Sequence, residues 1–398
     1  MTSQDRVLFV GAGPSQMPAI KHARSLGYIP YAVDADPQAV GFLHADGFDV
    51  GDIRDSDFIQ ACARRYQATA IVAIATDVAV PSVARACSAL GFPSILIEAA
   101  DVSVNKLLQR QHMRTAGLNV PAFMPFLSQD EALQHAMRIG FPVVIKPTDA
   151  AGSRGVRLVQ KADEVAQAAE DALRVSRSGT GLVEKYIEGP EVSVEGFVVS
   201  GQFHAICISE KSRSTPPYLL DMAVYFPDSL SAEERASILK VAQRAVEVCG
   251  LDNCPVHMEL LRSDNGPVVV ELAARGAGFR VFTNILPHVT GVDTVDIQLR
   301  LALGKPVEIF PKETPKGAVI VFISPVPGTL KDVIGLSEAR ALPGVEEAEV
   351  YVQPGTVMGD LRCGADRAGH LIVFAQDRQH AESLASHALS LIKLEVDR

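Results

Sequence analysis

Cysteine is sparse in this chain, and metal-binding spacing is absent. Six cysteines stand at 62, 87, 207, 249, 254 and 363, with no Cys-x-x-Cys pair. Neither a zinc site nor a redox dithiol is indicated, and reduced thiols in a cytoplasmic setting are expected. Positive charge is in deficit. Against 47 Asp and Glu there are 37 Lys and Arg, a formal net charge of −10. That argues against nucleic acid or an anionic membrane as the main partner, while leaving room for a local basic pocket. No apolar run is long enough to span a bilayer, and no basic segment followed by a long apolar stretch opens the chain, so neither a membrane span nor a secretory leader is expected. Internal repeats and low-complexity tracts are also missing. What remains has globular composition, 47% hydrophobic and 21% charged over 398 residues. A chain of this length is too long for one ordinary core, and two or three domains are expected.

The most informative stretch is a hairpin. Runs of strand composition at 256–262 and 267–273 flank the turn signal Ser263-Asp264-Asn265-Gly266. A three-residue loop, Asp264-Asn265-Gly266, with Gly266 as its left-handed residue, pairs Ser263 with Pro267. Glu259 then faces Glu271. Facing carboxylates repel unless something positive lies between them, and Mg²⁺ is a hard cation that takes carboxylate and phosphate oxygens. The bland reading is a solvated edge hairpin, yet both acids lie in strongly apolar runs, where unpaired charge is costly. Immediately downstream, Arg275 and Arg280 occupy the glycine-rich bend Ala274-Arg275-Gly276-Ala277-Gly278-Phe279-Arg280. Arginine forks suit phosphate or carboxylate groups. His257 shares a strand face with Glu259 by period two. Orienting a metal ligand, accepting a proton and a structural role all stay open for it.

The first hundred residues alternate strand and helix: strands at 6–10, 29–33 and 69–75, helices near 17–26 and 80–90. This predicts a parallel sheet with helices on both faces. Gly11 and Gly13 follow the first strand and Asp34 ends the second, as in a dinucleotide site. Gln16, however, takes the third glycine position, so the fingerprint is incomplete, and the glycines serve equally well as a plain tight turn. Ala75-Thr76-Asp77 is either a ligand contact at a strand end or a helix cap.

A helix opened by Asp101-Val102-Ser103-Val104-Asn105-Lys106 is expected to run to about Ala116, stopped by Gly117. Gly140-Phe141-Pro142-Val143-Val144-Ile145-Lys146-Pro147 is an apolar strand ending in a lysine that snorkels or reaches for an anion. Next come Asp149-Ala150-Ala151-Gly152-Ser153-Arg154-Gly155-Val156. Small residues there let backbone N–H groups close over phosphate. The alternative is an ordinary hairpin turn, and Lys146 with Arg154 favours phosphate. Glu184-Lys185-Tyr186-Ile187-Glu188-Gly189-Pro190-Glu191 joins two strands. A further strand ends at Ser209-Glu210-Lys211, followed by a polar loop at 212–218 that is either a lid or a long connection. Ser231 with Glu234 forms a capping box opening a helix at 232–249.

In this order the parts resemble the ATP-grasp superfamily, which includes biotin carboxylase, D-alanine–D-alanine ligase and the L-amino acid ligases. The resemblance covers roughly residues 1–310, and by extension the tail. It implies a three-domain α/β and α+β architecture. An N-terminal parallel α/β domain spans 1–103, and an ATP-grasp core spans 104–310 with a lid subdomain at about 118–190. A small C-terminal α+β domain occupies 311–398. It implies that Lys106 and Lys146 hold ATP phosphates and that Gly152, Ser153, Arg154 and Gly155 cover them. Glu184, with Lys185 and Ile187, meets adenine, while Glu191 meets the ribose and Lys211 belongs to the same ATP set. Glu259 and Glu271 become ligands of Mg²⁺, or of Mn²⁺. Arg275 stabilises the reacting acyl group, with His257 as a second catalytic candidate, and Gly278 and Arg280 meet substrate. Many relatives carry Glu-x-Asn-x-Arg where this chain has Glu271-Leu272-Ala273-Ala274-Arg275. Ala273 cannot ligate metal, and the amino acid ligases share this form. Asn105 also stands where an Asp often precedes the first lysine.

The tail from Pro315 adds strands at 317–323 and 369–375, turns near 328–330 and 342–345, and an amphipathic helix at 378–394, similar to the C-terminal domain of those ligases. His370 reads as a surface turn residue. The function implied is an ADP-forming ligase that activates a carboxylate as an acyl phosphate and couples it to an amine, as a homodimer with small-molecule partners. Three alternatives stand beside it: a purine-pathway or carboxylating relative, an NAD-dependent oxidoreductase resting on Gly11, Gly13 and Asp34, and a nucleotide sensor without turnover.

Overall fold

The computed structural model describes residues 4–313 and 315–397. The outermost ends of the first and last expected domains, Met1, Thr2, Ser3 and Arg398, lie outside the described residues, as does Thr314.

The apolar run Arg6–Val10 forms the middle of a four-stranded parallel sheet, in the order Gly47–Val50, Ile29–Asp34, Arg6–Val10, Ala70–Val72. Gly47–Val50 and the helix Ser56–Tyr66, capped by Asp55, complete the alternation and were not signalled by periodicity. The strand expected at 69–75 is shorter, because the chain leaves the sheet after Val72 and Ala75 turns to φ +51°. Asp34 accepts hydrogen bonds from the Ala12 and Asp36 amides at 2.7 and 3.0 Å, and Gln16 Nε2 donates to Ile74 O at 2.7 Å. These contacts tie down a tight turn, and Asp34 is spent on it.

Two helices, not one, lead out of this unit. Asp101 lies inside Ile97–Ser103, and Lys106–Thr115 starts afresh with Asn105 as its cap, accepting from the Leu107 and Leu108 amides. Capping frees no acid here, so Lys106 enters the first turn without a carboxylate ahead of it. An antiparallel sheet follows, ordered Phe123–Phe126, Gly181–Lys185, Val143–Pro147, Arg157–Val159. The helices Gln129–Ile139 and Val165–Val175 bury alanine-rich faces on it.

The centre is an eight-stranded sheet. Its order is Gly266–Ala273, Cys254–Ser263, Glu191–Val199, Gln202–Arg213, Asp221–Phe226, Gly317–Ile323, Gly369–Ala375, Val345–Val350. Its last three strands come from the tail. One apolar cluster runs from Val7 and Phe9 through Phe197 and Phe226 to Ile320 and Ile372, which ties both ends of the chain to the same core. The polar stretch expected at 212–218 begins two residues late, since Ser212 and Arg213 still pair with the next strand. The tail holds more strand than expected. Gly328–Ile334 and Lys393–Asp397 pair in a small three-stranded sheet with Val357–Met358. The last helix therefore ends at Leu391 rather than near residue 394. His370 is buried, not a surface residue; it lies 2.6 Å from the Tyr351 hydroxyl and 3.2 Å from Glu347. All six cysteines are free thiols. Among the described residues no helix is long and apolar enough to cross a membrane.

Candidate active site

The hairpin brings its two acids together by an unexpected route. Ser263 pairs with Gly266 and Arg262 with Pro267, so the connection is the two residues Asp264-Asn265 rather than three. Gly266, at φ +95°, opens the return strand. Continued unbroken, that register would set Glu259 against Val270 and turn Glu271 to the other face. A β-bulge beside Glu259 skips Val270, and Glu259 faces Glu271 after all.

Lysines, and not only a metal, relieve the repulsion between these acids. Lys106 Nζ lies 2.9 Å from Glu271 Oε1, and Lys211 contacts Glu259. The positive charge expected beside the facing acids is thus supplied in this structure by two lysines. Lys211 is also 2.8 Å from Glu191 and 3.1 Å from Asp221. Burial opposes its charge, yet Asp221, Glu191 and Glu259 raise its pKa well above the ordinary lysine value. Arg213, two residues on along the same strand face, is 2.9 Å from the other oxygen of Glu191.

The second lysine is deeper. Lys146 Nζ and Arg110 Nε each lie 2.6 Å from an oxygen of Glu184. Burial pulls Lys146 down to about 8, against the attraction of Glu184. Burial would raise Glu184, but Arg110 and Lys146 hold it at about 2. Its carboxylate is therefore turned onto two cations. Arg110 stands four residues after Lys106 on one helix face; that spacing was the signal for it.

His257 Nδ1 is 2.5 Å from Glu195 Oε1, and its Nε2 is 3.5 Å from Glu259. Burial would lower its pKa, but Glu195 and Glu259 raise it to about 9. At neutral pH the ring is an imidazolium that donates to Glu195 and lies within ion-pair distance of Glu259, so it does not stand ready to accept a proton. Glu195 shares a strand face with Glu191 by period two and went unremarked in the sequence.

Two cavities open on these residues. One, of about 860 Å³, has Lys106, Lys146, Glu184, Ile187 and Glu191 in its wall. The other, of about 1500 Å³, has Lys211, His257, Arg275 and Gly278 in its wall. They meet at Gly152, Ser153, Asp221, Glu259 and Glu271, which line both. Arg154 borders the second cavity on an exposed loop. Lys185 borders the first, but its amide donates to Ala122 O at 2.8 Å and its ammonium to the carbonyls of Gly140 and Phe141.

Two expected residues lie elsewhere. Gly155 lines neither cavity. At φ +71° it packs on the helix Val165–Val175, where a Cβ would come within 2.7 Å of Val175. That packing by itself requires the glycine. Arg280 also lines neither, being 3.1 Å from Glu347 and donating to Pro14 O. It joins the bend to the tail. Arg275 is held as well as exposed to the cavity: its Nε and Nη2 meet the two oxygens of Asp77 at 2.8 and 3.0 Å. Asp77 is thus neither a plain cap nor free for ligand. Carboxylates at Glu259 and Glu271 are hard oxygen donors, the chemistry that suits Mg²⁺ or Mn²⁺, and Ala273 adds no donor between them.

Comparisons with known proteins agree with this geometry. Residues 139–283 match the ATP-grasp domain family, and residues 320–397 match the L-amino acid ligase C-terminal domain 2. The chain is 28% identical over 383 residues to the uncharacterised protein y4rH of Sinorhizobium fredii, covering 94% of this chain and 79% of that one. It is 26% identical over 250 residues to the alanine–anticapsin ligase of Bacillus subtilis, covering 57% of this chain and 52% of that enzyme. The match thus spans about half the length of that ligase. The L-amino acid ligase of Bacillus licheniformis shares the fold, with a TM-score of 0.88 and 20% identity over 100% of both chains. The chain thus contains an ATP-grasp domain, and its likeness to ligases indicates an ATP-dependent carbon–nitrogen ligase. Its tail carries the L-amino acid ligase C-terminal domain 2.

Proposed function

We propose that this ligase activates a carboxylate as an acyl phosphate, with release of ADP, and passes the acyl group to an amine, joining amino acids into a dipeptide. The observation that carries the reading is the meeting of the two cavities at Glu259 and Glu271, each already beside a lysine. A nucleotide in the first cavity and a carboxylate in the second would meet at that junction.

In this reading Lys106 and Lys146 bind the phosphates, the amides of Gly152 and Ser153 cover them, and Glu191 and Ile187 border the nucleoside. Arg154 and Lys211 flank the phosphate end. Glu259 and Glu271 would hold Mg²⁺ or Mn²⁺, which supplies charge neutralisation for phosphoryl transfer. The substrate carboxylate attacks the γ-phosphorus, and the bond to the ADP oxygen breaks. The amine then attacks the acyl carbon. A C–N bond forms, the C–O bond to phosphate breaks, inorganic phosphate leaves, and the amine loses a proton to solvent. Arg275, held square by Asp77, faces the oxyanion that develops. His257, charged by Glu195, donates toward Glu259 and keeps that carboxylate in place. The Gly152–Ser153 loop keeps water from the acyl phosphate. We take the division at about 103 and 310, with a lid near 118–190, and a homodimeric state, as part of the same proposal.

The test is ADP release against a panel of carboxylates and amines, with Glu271→Ala as control. Amino acid pairs are expected to drive release, and the variant to lose it. Bicarbonate-driven release without dipeptide would favour a carboxylating enzyme instead.

A further inference from the structure

Every buried cation in the wall of the second cavity has an acid, except one. Lys211 has Glu191, Asp221 and Glu259, Arg275 has Asp77, and His257 has Glu195. Arg367, which comes from the tail, is 7% exposed and pairs with no carboxylate among the described residues. Its Nη2 donates to the backbone carbonyl of Asp221, and its Nε is buried without a partner. The guanidinium carbon lies 3.4 Å from the ring centre of Phe322 and 5.3 Å from that of Phe279. Those rings fix the plane of the fork while supplying no counter-charge. Burial holds its pKa below the ordinary arginine value.

A buried cation without an anion is costly and persists where something offsets the cost. A ligand carboxylate, received by the part of the guanidinium that lines the cavity, is the matching group. The activated carboxylate belongs at the junction with Glu259 and Glu271, so a second carboxylate must come from the other substrate. Apart from Asp221, whose carbonyl it meets, Arg367 is flanked in the wall by the rings of Phe322 and Phe279, and the same cavity has Val224, Phe226 and Ile320 in its wall. We infer that Arg367 binds the carboxylate of the amine-bearing substrate and sets its class: an α-amino acid rather than a simple amine. This inference rests on the ligase reading above. The tail thereby contributes to the acceptor site. Its loop also meets the glycine-rich loop, where Gly364 N donates to Gly152 O at 3.3 Å.

The experiment compares three nucleophiles with one activated amino acid: alanine, alaninamide and hydroxylamine. Hydroxamate from hydroxylamine reports acyl phosphate and serves as the internal standard. Wild type is expected to show a KM for alanine at least about tenfold below that for alaninamide, the scale of one charge-assisted contact. Arg367→Met is expected to lower the dipeptide-to-hydroxamate ratio by roughly tenfold or more and to erase the preference over the amide. Arg367→Lys should restore part of it. Equal use of alanine and alaninamide by wild type would overturn the inference even if the Met variant did not fold, and so would an unchanged ratio in a folded one. Absence of hydroxamate from wild type would instead overturn the ligase reading itself.

Discussion

Asp77 and Arg275 are 198 residues apart in sequence, and their side chains meet in a two-point ion pair at 2.8 and 3.0 Å. Asp77 stands just after the last strand of the parallel sheet, while Arg275 follows the strand that carries Glu271. Both are largely buried, and the pair fixes a guanidinium that also faces the second cavity. Burial would raise the Asp77 pKa, but Arg275 brings it below the ordinary carboxylate value. The first unit of the chain thereby orients Arg275 in the wall of the second cavity.

Loosening that pair should cost turnover more than nucleotide affinity. Asp77→Asn keeps the shape and removes the charge. It is expected to lower kcat for ADP release by about 10–100-fold through misplacement of Arg275, with little change in KM for ATP. Steady-state kinetics read both constants, and a change confined to KM for ATP would contradict the assigned role.

Lys146 predicts a pH dependence of nucleotide binding. Its pKa in the free protein is about 8, so above that pH it is largely neutral, and below it is charged. Phosphate favours the charged form. Binding above pH 8 should therefore take up a proton, and affinity should fall as pH rises through about 8. Calorimetry at pH 7 and pH 9, in buffers of different ionisation enthalpy, counts the protons. Uptake at pH 9 that vanishes at pH 7 and in Lys146→Met is expected; none at pH 9 would contradict the placement.

Gly155 separates packing from phosphate contact within one loop. Gly155→Ala sets a Cβ against Val175 and the backbone of Ala172 at a left-handed φ. A loss of about 1–3 kcal/mol in denaturant unfolding is expected, with KM for ATP nearly unchanged. The reverse pattern would return Gly155 to the phosphate site.

Much of the site could be read in the sequence because its parts are short and local. Lys146 ends an apolar strand, Gly152 and Ser153 follow it, and Glu259 and Glu271 share a hairpin. Even there the turn was misjudged, and a bulge at Val270, invisible to period-two reasoning, restored the pairing. What escaped was set by contacts between distant segments. Arg110 reaches Glu184, Asp77 reaches Arg275, and Arg367 reaches the backbone of Asp221. No local pattern marks such residues, although Arg110 and Glu195 do repeat the period of a recognised neighbour. The helix was carried two residues into the closing strand Lys393–Asp397, whose partner, Gly328–Ile334, had been read only as a turn at 328–330.

The central claim is that a carboxylate is activated where the two cavities meet at Glu259 and Glu271. Trapping with hydroxylamine tests it most directly, with ADP and hydroxamate measured together for wild type and Glu271→Ala. Hydroxamate formed in step with ADP by wild type, and lost with it in the variant, is the predicted result. ADP release without any amino acid hydroxamate, or full activity in Glu271→Ala, would contradict it.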